Sequence, residues 1–214
     1  MKKIILPLLA LIVSVSSCKK VEVEESETTP TTEVAVEEEV VEVTPDSAAV
    51  AKAWADYATP SKAHEMLAKD TGTWDAEMTF WMPESPEPMK ANSVATYKMV
   101  LDGKYQEGVF KGDMWGMAFE GRGITAYDNA AKEYITTWID NMGTGMLVSR
   151  GQYDEASKSI TFSGAMADPV TGKEKKVKEV ITYIDDNTQK MEMFDIDAKG
   201  KEFKSMEILS KRRK

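Results

Sequence analysis

One histidine and one cysteine restrict the chemistry open to this chain of 214 residues. A catalytic histidine needs a partner to orient it and a cleft to work in, and nothing near His64 supplies either. His64 therefore reads as a structural or surface group. A lone Cys18 excludes an internal disulfide and every multi-cysteine zinc or iron–sulfur framework. The chain has 14 methionines, some closely paired: Met114 with Met117, Met142 with Met146, Met191 with Met193. Thioether pairs can ligate Cu(I), but methionine is also an adaptable core filler. Met191 and Met193, two residues apart, share a strand face, as the core reading requires. No metal and no cofactor is expected.

The remaining motifs fall short of their templates. Asp195-Ile196-Asp197-Ala198-Lys199-Gly200 imitates the start of a calcium loop, yet Lys199 and Met206 occupy positions that need oxygen ligands, so it reads as a hairpin turn. Gly121-Arg122-Gly123 and Gly143-Thr144-Gly145 lack the third glycine and the following helix of a nucleotide fingerprint. Arg122 and Arg150 lie inside predicted strands, where an inward arginine would grip a carboxylate. Arg122 shares its face with Glu120, however, so outward salt-bridging is the better reading. Asp140 and Asn141 follow Trp138 at a strand end. A carboxylate beside an aromatic suits ligand positioning or acid–base work, and strand-ending turn chemistry explains the same residues. The closing Lys211-Arg212-Arg213-Lys214 reads as a solvated tail, with contact to anionic lipid as the alternative.

At the other end, Lys2 and Lys3 precede the apolar run Ile4 to Val15, then Ser16, Ser17 and Cys18. This is the layout of a secretory signal over residues 1–17, and the run is too short to span a membrane. Val15-Ser16-Ser17-Cys18 resembles a bacterial lipobox, which implies that Cys18 is acylated and anchors the mature chain in a lipid bilayer. Lys19 follows where an inner-membrane retention signal would have Asp, so the expected location is the cell envelope, at the outer membrane, periplasmic or surface-facing. Residues 18–45 carry nine glutamates among Val, Thr, Ser and Pro and read as a solvated acidic tether.

The net charge of −9 belongs mainly to that segment. Between residues 19 and 50, Lys19 and Lys20 stand against ten acids, which leaves 23 bases and 26 acids for residues 51–214. An acidic balance without a basic face argues against nucleic acid as partner; the sequence names no protein partner.

The elements that must position any site follow. Residues 46–70 form a helical lead-in: Asp46 caps a helix over 48–57, with Val50, Trp54 and Tyr57 on one face, and Pro60-Ser61 opens a short helix over 62–69. From Thr73 the period changes to two, and turn signals recur at ten- to fifteen-residue intervals. About ten strands fit, at 73–82, 92–101, 104–112, 117–127, 132–141, 145–153, 158–167, 174–185, 189–196 and 201–210. Short connections favour an antiparallel up-and-down barrel over residues 71–211, and closure removes the open edges.

Gly72-Thr73-Trp74, opening the first strand after a short helix, is similar to the start of calycin barrels, where the tryptophan closes the base. Further segments, among them His64 to Lys69, Phe119-Glu120-Gly121, Tyr127-Asp128-Asn129, Thr137 to Met142, Gly151 to Asp154 and Asp168 to Lys173, resemble a bacterial family catalogued as domain of unknown function 1579. The resemblance covers roughly residues 50–210 and implies an all-β, calycin- or lipocalin-like barrel, often secreted or lipid-anchored, with no established activity.

Such a barrel encloses either packed side chains or one ligand. The expectation is a non-catalytic binding module for a small, mainly apolar molecule. Candidate lining residues are Trp74, Met78, Phe80, Tyr97, Trp138, Asp140, Met191 and Met193. The alternatives are a fully packed structural or interaction barrel in the envelope and a carboxylate-based enzyme using a group such as Asp140.

Overall fold

In the computed structural model, residues 46–82, 85–196 and 200–214 are described. The expected signal sequence, the acylation at Cys18 and the tether lie outside them. Two helices, α1 (Ser47–Ala58) and α2 (Lys62–Ala68), precede ten strands. The strands are β1 (Gly72–Phe80), β2 (Met89–Val100), β3 (Tyr105–Met114), β4 (Met117–Asp128), β5 (Glu133–Asp140), β6 (Leu147–Asp154), β7 (Ser159–Ala167), β8 (Glu174–Asp185), β9 (Thr188–Ile196) and β10 (Glu202–Arg212). Each pairs antiparallel with its sequence neighbour, and β1 pairs with β10, so the sheet closes on itself. The up-and-down barrel read from the turn spacing is the observed fold.

Alternation produces it. On β1, Trp74, Ala76 and Met78 are buried while Asp75 and Glu77 are exposed. On β2, Ala91, Ser93 and Ala95 are buried between exposed Lys90, Asn92 and Thr96. Register then places like faces opposite each other, as in Met78 opposite Ile208 and Ala91 opposite Met78. The interior divides into two apolar clusters. One gathers Ala76, Met78, Met114, Phe119 and Ile208. The other gathers Leu67, Tyr134, Ile160 and Phe162.

The second cluster sits at the base, which α2 closes. Leu67 is only 1% exposed, and its carbonyl accepts from Gln106 Nε2 at 2.7 Å. Trp74, wholly buried, donates its indole N–H to the Asp70 carbonyl at 2.8 Å. The Arg212 guanidinium lies 4.2 Å over the Trp74 ring and donates to the carbonyls of Thr71 (2.7 Å) and Lys69 (2.5 Å). Arg213 meanwhile holds Asp75 at 2.6 Å. Arg212 is therefore not part of a solvated tail: β10 runs to it and its guanidinium covers the base, while Lys211, Arg213 and Lys214 stay exposed.

His64 belongs to the same closure. Its Nδ1 accepts from the Ser61 backbone N–H at 2.9 Å, and its ring meets Tyr127 edge-on at 6.0 Å. Burial, then the Lys104 charge, lowers its pKa, against a hydrogen bond with the Tyr127 backbone. A neutral ring leaves Nδ1 free to accept, so His64 is structural. By contrast, Val50, Trp54 and Tyr57 of α1 stay exposed, with the helix end held by Asn129 Nδ2 on the carbonyls of Tyr57 (3.1 Å) and Thr59 (2.8 Å).

Asp70 is the buried carboxylate of this plug. Gln189 Nε2 donates to one oxygen and Gln106 Nε2 to the other, at 3.1 Å in the latter case. Burial outweighs these bonds and the Arg212 charge, pushing its pKa up to about 6.

Two outcomes follow. Arg212→Ala removes the stacked cation and orphans two carbonyls, so it should lower unfolding free energy in urea by about 2–4 kcal/mol, with Arg212→Lys intermediate. The folded protein also holds the Asp70 proton more tightly than the unfolded chain, so this group's contribution to stability falls as pH rises through about 4 to 6. Relative to Asp70→Asn, the wild type should lose about 2–3 kcal/mol across that window. Parallel stability–pH curves for the two proteins would refute this.

Candidate binding site in the barrel lumen

The two ends of the barrel differ in chemistry. At the base lie α2 and the hairpin turns near 101–104, 129–132, 155–158 and 186–187; at the opposite end lie those near 115–116, 141–146 and 168–173, with the ends of β1 and β9 and the starts of β2 and β10. This second end, the mouth, is rimmed by exposed Met82, Trp115, Met117, Met142, Met146 and Met166. Trp115 adopts a left-handed φ of 57° beside Gly116 at 88°, as a two-residue hairpin turn requires. Its indole N–H donates to the Lys90 carbonyl at 3.1 Å, and its ring meets Phe80 edge-on at 5.3 Å. Methionine and tryptophan here give a soft, adaptable apolar rim.

Below the rim the expected lining residues divide. Phe80, Trp138 and Met191 pack around the cluster that contains Met78. Tyr97 joins them through Phe110, which lies 5.7 Å from its ring and 5.0 Å from Trp138. Met193 stands further round the wall, opposite Glu179 and Met206. Trp74 has no exposed surface and belongs to the base plug, so it offers a ligand nothing. Asp140 is committed locally: Oδ2 accepts from Trp138 Nε1 at 2.8 Å, and Oδ1 from the Met142 N–H at 2.9 Å. It fixes the indole and ends the strand. Asn141 clips the same turn to β4, donating to the Ala118 carbonyl and accepting from the Glu120 N–H.

Backbone space sets the ring positions. A Cβ on Gly121 would lie 2.4 Å from the Trp138 ring, and one on Gly108 would lie 2.9 Å from Tyr97. These glycines clear room on the inner wall for two large aromatics.

Polar groups also face inward. On β8, Glu179 lies between Val177 and Ile181, both turned to the interior, so its carboxyl enters the lumen. Burial raises its pKa; Ser149 nearby acts the other way, and no cation contributes. Ser149 Oγ and Ser93 Oγ are buried without a hydrogen-bond partner. Nearer the mouth, Asp195 is held by Lys175 at 2.9 Å. Towards the base, the Tyr97 and Tyr183 phenols are driven up by burial and by the Asp70 charge, and Tyr134 is pushed up to about 12 by burial, then by Tyr127 and Tyr153.

The other candidates have local roles. Arg122 pairs with Glu120 at 2.8 Å and Arg150 with Glu133, both on the outer wall. Met114 is buried and its register partner Met117 is exposed at the rim, to which Met142 and Met146 also belong. Among the described residues no group of three His, Cys, Asp or Glu side chains is placed to hold a metal ion. A hollow of about 160 Å³ opens at the base beside Met66, Asp70, Tyr183 and Gln189. That is below the usual size of a ligand site. Sequence alone assigns no role to Glu179, Ser149 or Asp70, and it places Arg212 only in a solvated tail. For Glu179 a signal existed: strict alternation through Val177, Ile181 and Tyr183 puts it on the inner face.

Gly121→Ala should push Trp138 off its position. About 1–3 kcal/mol of stability should be lost, with a change in tryptophan emission; an unchanged denaturation curve would show that the wall yields instead.

Comparison with known proteins agrees with the barrel. The structure is similar to that of Rv2717c from M. tuberculosis, at 12% identity and a TM-score of 0.55, covering 73% of this chain and 100% of that one. A redesigned β-barrel also matches, at 14% identity and a TM-score of 0.36, over 69% of this chain and 95% of that one. No curated protein matches the sequence. The family described as Protein of unknown function (DUF1579) matches residues 59–212, which is the short helix and the whole barrel. The chain belongs to the DUF1579 family.

Proposed function

We propose that this protein is an exported, lipid-anchored barrel that holds one small, mainly apolar molecule in its lumen without transforming it. The observation that carries this reading is the asymmetry of the barrel. One end is sealed by α2, Trp74 and Arg212, and the other is an exposed rim of methionine and tryptophan above an aromatic- and methionine-lined wall. A packed strut has no need of an apolar mouth, whereas a carrier does. The commitment of both Asp140 oxygens to Trp138 and Met142 favours binding over carboxylate catalysis. Acylation of Cys18 and a stalk over residues 18–45 would hold the barrel at the envelope membrane, with the outer membrane as the expected site.

A second reading, a packed interaction barrel, draws on the two apolar clusters that occupy much of the interior. Native mass spectrometry of protein extracted from the membranes of its own host decides between them. The expected result is a diacyl or triacyl adduct on Cys18 together with a co-purifying small molecule, released on unfolding. An unmodified thiol on a soluble protein would overturn the anchor. Ligand-free protein that also takes up no apolar probe would overturn the carrier and leave the packed barrel.

A further inference from the structure

Glu179 sits where a carboxyl is hardest to keep. It projects from the middle of β8 into the interior, opposite Phe162 on β7 and Met193 on β9. No basic side chain bonds to it or shifts it electrostatically. Its polar neighbour is Ser149, 0% exposed, whose hydroxyl has no hydrogen-bond partner within bonding distance. Burying a carboxyl and a hydroxyl without completing their bonds destabilises a fold, and glutamine or an aliphatic side chain would cost less. The fold draws no visible benefit from this pair.

A guest could complete the set. Lys175, which points into the mouth, is already neutralised by Asp195, and Arg212 is spent on the base. A ligand carboxylate would therefore meet Glu179 with no opposing cation. An alcohol would fill a hydrogen bond but leave the glutamate charge uncompensated. A protonated amine supplies both N–H donors and the countercharge, while its apolar body lies against Met193, Met206 and Phe162 on the adjoining wall. Ser149 would then donate to the second carboxylate oxygen.

Resting on the lumen-binding reading above, we infer that the guest is an amphiphile with an apolar body and a primary amine head, and that Glu179, with the Ser149 hydroxyl beside it, is the group that selects it. The test is a head-group series on the intact purified protein: dodecylamine, dodecanol and dodecanoic acid, each below its micellar concentration, measured by calorimetry and tryptophan quenching. Dodecylamine should bind at least about tenfold more tightly than either rival, and Glu179→Gln should erase that preference while leaving dodecanol within about threefold. Ser149→Ala should weaken the amine by a smaller factor. Glu179→Gln is expected to fold at least as stably as the wild type; should it not, the wild-type series still decides the head group and Ser149→Ala the place where it is read. Equal affinities for the three heads, preference for the acid, or amine selectivity that survives Glu179→Gln would overturn the inference and leave the apolar carrier standing. Failure of all three to bind would overturn both.

Discussion

The contact between Trp74 and Arg212 is the constraint on which the barrel depends. These residues are register partners across the seam where the first strand meets the last. The same guanidinium that covers the indole also gathers the carbonyls of Lys69 and Thr71, just after α2. Closure of the sheet, orientation of the short helix and burial of the base are thus one event. A seam formed by residues 138 positions apart in sequence is entropically costly to close, so a strong and directional contact there does more than the same contact elsewhere. Once the base is fixed, the other strands have only to add hairpin by hairpin.

Polar groups are treated differently along the barrel axis. At the base Asp70 receives two glutamines, Gln106 also reaches the Leu67 carbonyl, and His64 Nδ1 accepts from the Ser61 backbone N–H. In mid-barrel, Glu179 lacks a cation and Ser149 lacks a partner. Satisfied polar groups rigidify the base, whereas the mid-barrel groups keep unused hydrogen-bonding capacity.

The barrel itself was legible because alternation and turn chemistry act locally. Trp74-Asp75-Ala76-Glu77-Met78 has one possible arrangement on a half-buried strand, Asp102-Gly103 turns through left-handed backbone, and Asp128 ends its strand by accepting from the Ala130 and Ala131 N–H groups. What stayed hidden depends on partners distant in sequence. Arg212 resembles any terminal basic residue until β1 is placed beside it. Asp70 resembles a solvated helix end until Gln106 and Gln189 close over it. Glu179 is masked by Lys175, Lys176 and Lys178, which scatter charge over both faces of β8 and blur the alternation that Val177, Ile181 and Tyr183 keep. The methionines were visible as a count, but their division into core, wall and rim is a property of the closed sheet.

The hairpin arithmetic of an even-stranded barrel has one further consequence. With ten strands, the chain enters and leaves at the same end, here the base, where α2 arrives and β10 finishes. A nine-residue strand rises about 30 Å along its own direction, and the tilt of barrel strands shortens that to roughly 20–25 Å along the axis. The rim is thereby kept a full barrel height from the residues through which the chain enters and leaves. A change in the turns at the rim does not touch the residues that close the base.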